Sequence, residues 1–229
     1  MNHLGFISDD IDPCLYIYGK NTDIVIAILY VDYILLAGPS DRLLNKISKS
    51  LILEFKIKDL GSHKEFLNIN ISRNFDKQVI KLNQTKFINK MLNRFGFDTC
   101  KPKNTPMKQS DAASYARKER EENDYTEERY RNRLYRQAVG SLLYLAGTTR
   151  PDISYSINVL NRHQVNPTTN EWNMVKRVFQ YQMGTRNHNL IFTNASKDMT
   201  AYADASLSDC KDSLTTCGYL NQLFGDTVA

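Results

Sequence analysis

Tyr30-Val31-Asp32-Tyr33 lies between two apolar runs, Ile24-Val25-Ile26-Ala27-Ile28-Leu29 and Ile34-Leu35-Leu36-Ala37. Two runs rich in β-branched residues, joined by so short a connection, read as the arms of a β-hairpin with a carboxylate at its tip. The unbroken apolar character of Ile24 to Tyr30 predicts a strand buried on both faces. Upstream, Cys14 to Tyr18 is a short aromatic strand. Downstream, Pro39-Ser40 opens a helix, with Ser40 or Asp41 as its cap. Leu43, Leu44, Ile47, Leu51, Ile52 and Phe55 recur on it at helical spacing. Asp59-Leu60-Gly61 breaks that helix.

The pattern then changes period. Leu67, Ile69 and Ile71 alternate with Asn68, Asn70 and Ser72, which predicts a half-buried strand, and Val79 to Leu82 is its return. A second helix runs from about Thr85 to Phe95, with Phe87, Ile88, Met91, Leu92 and Phe95 on one face and Gly96 as its C-cap. Apolar residues are sparse from Lys101 to about Glu128. Every residue of Arg117-Lys118-Glu119-Arg120-Glu121-Glu122 is charged, as in a linker or a helix solvated on all sides. Helices follow at Leu134 to Gly147, from Arg150-Pro151-Asp152 onward, and at Thr168 to Met183 with Trp172, Val175, Val178 and Phe179 inward. Leu190 to Thr193, Met199 to Asp204 and Thr215 to Leu220 are candidate strands.

The totals exclude several classes. A hydrophobic content of 41% with 24% charged residues fits a globular protein with a real core. The net charge of +5 suits a polyanionic partner without requiring one. Cys14, Cys100, Cys210 and Cys217 form no Cys-x-x-Cys pair and stand apart from the histidines, which argues against zinc and suits a reducing compartment. No apolar run approaches membrane-spanning length, and the N-terminus has no secretory pattern. A cytoplasmic or nuclear location is expected.

Eight short motifs, in order, resemble the polymerase polyprotein of copia-type long-terminal-repeat retrotransposons. Asp12-Pro13-Cys14-Leu15-Tyr16 is similar to the family's Asp-Pro-Cys-Leu-Tyr, and Tyr30-Val31-Asp32-Tyr33-Ile34-Leu35 to its Tyr-Val-Asp-Asp-Ile-Leu. Lys58-Asp59-Leu60-Gly61 and Phe66-Leu67-Asn68-Ile69 resemble Lys-Asp-Leu-Gly and Phe-Leu-Gly-Ile. Thr105-Pro106-Met107 follows, then Tyr135 to Leu145 with Thr149-Arg150-Pro151-Asp152-Ile153. Ala201-Tyr202-Ala203-Asp204-Ala205 resembles the first strand of the ribonuclease H domain.

The resemblance implies an α+β fold: a truncated reverse-transcriptase palm, thumb and connection, followed by the first strands of a ribonuclease H-like sheet. The implied parts are 1–100, a partial reverse transcriptase with palm hairpin and thumb-like region; 101–130, a charged linker; 131–196, a helical connection; and 197–229, a truncated ribonuclease H-like start. It implies vestigial catalytic carboxylates at Asp32 and Asp204, with Asp32 a former magnesium ligand. Two-metal phosphoryl chemistry needs several carboxylates converging on ions about 3.5–4 Å apart. Here Tyr33 stands where the family has its second aspartate, and a phenol with a pKa of about 10 stays neutral at pH 7. The remaining acids of both active sites are expected ahead of Met1 and beyond Ala229. Asn68 replaces a family glycine, where a bulkier side chain is expected to hinder close backbone approach.

The expected function is therefore a transposon-derived remnant of an RNA-directed DNA polymerase, inactive, with magnesium only its ancestral cofactor. The alternative is a residual binding module for an RNA or DNA template-primer, without catalysis, through Lys86, Lys90 and Arg94 on the thumb-side helix. No small-molecule substrate and no membrane partner are expected. Each site has a plainer reading. Asp32 is a common turn residue, Asp204 is an acid ending a strand, and the basic stripe is a solvated helix face. Trp172 reads as core rather than as a base-stacking platform.

Overall fold

A computed structural model describes residues 1–62, 64–108, 125–193, 195–196, 198–206 and 216–228, with the helical path alone for 125–131. The charged run 117–122, Thr215 and Cys210 lie outside these residues. The chain forms two compact units, Met1–Ser62 and His63–Ala229. Helices and strands are mixed along the chain, in keeping with the expected α+β class.

The first unit is an antiparallel sheet, β1 (Phe6–Ser8), β2 (Leu15–Tyr18), β3 (Val25–Tyr30) and β4 (Tyr33–Ala37), in sequence order. Gly19 turns the chain between β2 and β3 at φ 86°, where an added Cβ would lie 2.2 Å from the Asp23 carbonyl oxygen, so only glycine fits. Helix α1 (Asp41–Phe55) starts as expected: Ser40 Oγ accepts from the Leu43 N–H at 3.4 Å. It ends earlier than Asp59-Leu60-Gly61, because Lys56 adopts a left-handed conformation at φ 50°. Asp59 instead shapes the following loop. It accepts hydrogen bonds from Ser48 Oγ and the Gly61 N–H, and these hold its carboxyl below the usual range.

Ile47 and Leu51 of α1 pack with Phe6, Val25 and Ala27. The expectation that Ile24–Tyr30 is buried on both faces is corrected. Val25 and Ala27 are 0% exposed, whereas Ile26 and Ile28 on the opposite face are 40% and 39% exposed. The core of this unit lies on one face of β3 only.

In the second unit, β5 (Glu65–Phe66), β6 (Ile69–Asn74), β7 (Val79–Asn83) and β8 (Leu190–Phe192) form one antiparallel sheet in that order. The strand expected to include Leu67 and Asn68 is interrupted there. Both residues have positive φ, 50° and 60°, and make the two-residue turn between β5 and β6. That pair of signs is the one a tight hairpin prefers. Asparagine tolerates it better than most residues, so Asn68 is accommodated where the family has glycine.

Helix α2 (Thr85–Phe95) ends on Gly96 at φ 74°, as expected. Helix α3 (Tyr125–Ala146) starts nine residues before the expected Leu134, inside the stretch read as linker. The apolar stripe from Tyr135 onward was visible in the sequence, but the polar turns before it carry no such signal. Residues 101–108 also depart from the linker reading, since they lie along the last helix, α5 (Thr169–Thr185). The Lys103 N–H donates to the Gln180 carbonyl at 3.2 Å, and a Cβ at Gly184 would sit 3.0 Å from Pro102.

A 3-10 turn, Pro151–Ile153, leads into α4 (Ser154–Asn161). Thr168 and Glu171 form a capping box at the start of α5. Met91 and Leu92, Val139, Leu142 and Leu145, Ile157 and Leu160, and Val175, Val178 and Phe179 close a single core from α2 to α5. Each such side chain contributes about 1.5–3 kcal/mol by leaving water. Leu143 is 46% exposed, whereas Leu142 and Leu145 are buried.

The last strands, β9 (Met199–Ser206), β10 (Thr216–Leu223) and β11 (Asp226–Thr227), make a separate sheet in the order β11-β10-β9. Asp226 ties it to the end of β8, accepting from the Thr193 N–H at 2.6 Å and the Thr193 hydroxyl at 3.0 Å.

Candidate functional site

Strands β3 and β4 pair through Tyr30 and Tyr33, so Val31 and Asp32 alone form the connection. Val31 adopts φ 51°, a conformation uncommon for any non-glycine residue and strained for a β-branched one. The hairpin holds that strain through its ladder, from Tyr30–Tyr33 down to Ile26–Ala37. The outcome is a carboxylate projected at an exposed tip. Tyr33, next to it, is 48% exposed.

The metal that the resemblance implies at this tip is magnesium. Magnesium takes oxygen ligands, with carboxylates neutralising its charge. The turn supplies one carboxylate, Asp32, and a neutral phenol. Among the described residues no three of His, Cys, Asp and Glu come together anywhere. These residues do not assemble a magnesium cage.

Asp204 lies far from Asp32 in sequence, on β9, in the second unit. It pairs in register with Gly218 of β10 and is exposed. Its Oδ1 accepts from the Ala205 N–H at 2.9 Å, the local hydrogen bond of its plainer reading.

Lys86, Lys90 and Arg94 all lie exposed on α2. Two of them already have partners that the sequence pattern did not reveal. Lys86 forms an ion pair with Glu65 of β5, and Arg94 Nη2 donates to Gln137 Oε1 of α3 at 3.1 Å. The Lys86 ammonium lowers the Glu65 pKa, chiefly through the hydrogen bond, and Lys90 adds a weaker attraction. Glu65 is remote in sequence, so helical spacing cannot flag it. Trp172 packs at the edge of the core with its ring 6.4 Å from that of Tyr135, in keeping with a core residue.

A second cluster, centred on a residue quoted for its motif but given no role, is buried. The Arg150 side chain is 2% exposed and grips Asp152 with two hydrogen bonds, Nε to Oδ1 at 2.9 Å and Nη2 to Oδ2 at 2.7 Å. Its Nη1 donates to Gln182 Oε1 at 2.5 Å and to the Thr185 carbonyl at 3.0 Å, and Nη2 donates to Thr185 Oγ1 at 2.6 Å. Tyr181 Oη donates to Asp152 Oδ2 at 2.7 Å. Burial works against ionisation of Asp152, but hydrogen bonds from Arg150 and Tyr181 outweigh it and its pKa falls below the ordinary value. Beside this cluster, Thr149 Oγ1 donates to Gln84 Oε1 at 2.8 Å. Thr149-Arg150-Pro151-Asp152 thus joins the end of α3 to α5 and to the start of α2. Its placement in the core makes it a structural knot.

No helix among the described residues is long and apolar enough to cross a membrane.

The family model for reverse transcriptase (RNA-dependent DNA polymerase) matches residues 1–109. The chain is 31% identical over 224 residues to the retrovirus-related Pol polyprotein from transposon TNT 1-94 of Nicotiana tabacum, covering 95% of this chain and 16% of that protein. It is 34% identical over 219 residues to the Pol polyprotein from transposon RE1 of Arabidopsis thaliana, covering 95% of this chain and 14% of the polyprotein. The chain therefore spans about a sixth of these polyproteins. It is also 37% identical over 186 residues to an uncharacterized mitochondrial protein of Arabidopsis thaliana, covering 80% of this chain and 72% of that protein. No solved structure matches it. The motifs, the mixed α/β fold and these relatives agree: the chain belongs to the reverse transcriptase family, as a fragment of a copia-type retrotransposon Pol polyprotein.

Proposed function

We propose that this fragment carries out no polymerisation. The observation that carries the reading is Tyr33. It occupies the position next to Asp32 where the family has a second carboxylate, so the turn offers a metal one charged ligand. Two-metal catalysis needs several carboxylates around both ions, and one tip aspartate does not fix a metal against substrate phosphates. In this reading Asp32 is a vestigial magnesium ligand. The β3–β4 hairpin belongs to the palm, α2 lies on the thumb side, and α3 to α5 form the connection. Strands β9 and β10 open a ribonuclease H-like sheet with Asp204 as its vestigial acid. The test is primer extension with the purified chain, magnesium, a primed RNA template and deoxynucleotides. No product above background is expected, and template-dependent extension overturns the reading.

A second reading is favoured by the outward position of Lys86, Lys90 and Arg94 on one helix. Residual template-primer binding through their phosphate contacts would persist without chemistry, and it would fall steeply with salt. Glu65 competes with phosphate for Lys86. Fluorescence anisotropy with an RNA–DNA hybrid at low salt distinguishes the two readings. Binding that weakens on Lys86→Gln, Lys90→Gln and Arg94→Gln together supports the module, and binding indifferent to those changes removes it.

A further inference from the structure

A cleft of about 350 Å³ opens between residues 101–108 and the first half of α5. Lys103, Lys108 and Arg177 line it, with Asn170, Asn173, Met174 and Gln180. Three cations face one space, and no acidic residue lines it among the described residues. Among the described residues none of the three makes a salt bridge, in contrast to Lys86 and Arg150.

The wall bearing the lysines is fixed in place. Pro102 lies against Gly184, the Lys103 N–H binds the Gln180 carbonyl, and Met107 packs on the core. Arg177 Nη2 donates to the neutral Thr105 hydroxyl at 2.9 Å, while its Nε is buried with no hydrogen-bond partner among the described residues. A guanidinium so placed is undersatisfied, and its favoured partner is an oxyanion. Asn173 Oδ1 faces Lys176 Nζ at 3.4 Å, which leaves the amide N–H groups of Asn173 to donate elsewhere. The cleft thus combines positive charge and N–H donors in a volume typical of small-ligand sites.

We propose that this cleft binds a phosphate-class anion. The proposal is independent of the polymerase reading and of the α2 stripe. The phosphate group could be free, or it could be the terminal phosphate of a nucleic acid strand, and both present the same oxygens to Lys103, Lys108 and Arg177.

The test is calorimetric titration of the whole chain with inorganic phosphate at low chloride. It is repeated on the double variant Lys103→Gln, Lys108→Gln, whose side chains are exposed. Saturable binding is expected, weakened about ten-fold in the double variant with an unchanged thermal midpoint. A second arm compares a 5′-phosphorylated tetranucleotide with its 5′-hydroxyl twin. A preference for the phosphorylated strand that disappears in the double variant assigns the phosphate to a strand end. Phosphate binding with no such preference assigns the free anion, and both results support the site. No phosphate binding by the parent chain, or binding undiminished in the double variant, overturns it.

Discussion

The two compact units bury their apolar residues very differently. In Met1–Ser62, the fully buried hydrophobics are Phe6, Val25, Ala27, Ile47 and Leu51, all on one side of the sheet. In His63–Ala229, helices α2 to α5 enclose a core that includes Leu92, Leu142, Leu145, Leu160, Val178 and Phe179, each 1% exposed or less. The second unit also buries a charged side chain, Arg150, paired with the partly exposed Asp152. The candidate catalytic turn belongs to the thinner unit, whose β3 shows Ile26 and Ile28 to solvent on its far face. The dense helical core and the Asp32–Tyr33 turn therefore lie in different units, and damage to one need not be felt by the other.

The comparison breaks most readily at Phe179. It is 0% exposed, with its ring 5.0 Å from those of Phe95 and Phe97. Phe179→Ala should cost about 3–5 kcal/mol. Its helical circular dichroism melt should collapse, while the first unit keeps its own hydrogen-exchange protection. Loss of protection in both units would contradict their separation. Next in size is Arg150→Met. It leaves Asp152 and Gln182 without their partner and should cost about 3 kcal/mol, seen as a lowered denaturation midpoint.

Smaller effects sharpen the contrast in the first unit. Val31→Asn, which relieves a β-branched residue at φ 51°, should raise the stability of Met1–Ser62 by about 1 kcal/mol, read by hydrogen exchange across β3 and β4. Ile28→Thr on the open face should change stability by less than about 0.5 kcal/mol. Acid adds a further separation. The folded Asp152 pKa is depressed, so its contribution is present above the unfolded carboxylate value of about 3.9 and is lost as pH falls through the folded value. Below about pH 4, the melting midpoint of the helical unit should fall in the parent more than in Asp152→Asn, which starts lower and has no such group to protonate.

Much of this was legible from residues alone. Ser40 announced the start of α1, Gly96 the end of α2, and the Tyr30–Tyr33 stretch its hairpin, because each signal is local. Three features were not. Leu67 is apolar and continues an alternating pattern, so its left-handed turn looked like strand. The sequence of the first turns of α3 carries no apolar stripe and resembles the charged stretch before it. One-sided burial of β3 depends on what covers the sheet, and strand sequence does not record that. The site divides the same way. Asp32 at a tip and Tyr33 beside it were readable, but Glu65 against Lys86 and Gln182 against Arg150 join residues remote in sequence.

We infer that the Asp32–Tyr33 turn does not hold a catalytic metal ion. Titration of the isotope-labelled chain with manganese, a paramagnetic substitute for magnesium, reads this directly through line broadening of the backbone amides. No saturable, selective broadening at Val31, Asp32 and Tyr33 is expected below millimolar metal. Selective broadening centred on Asp32 that saturates at micromolar manganese would contradict it.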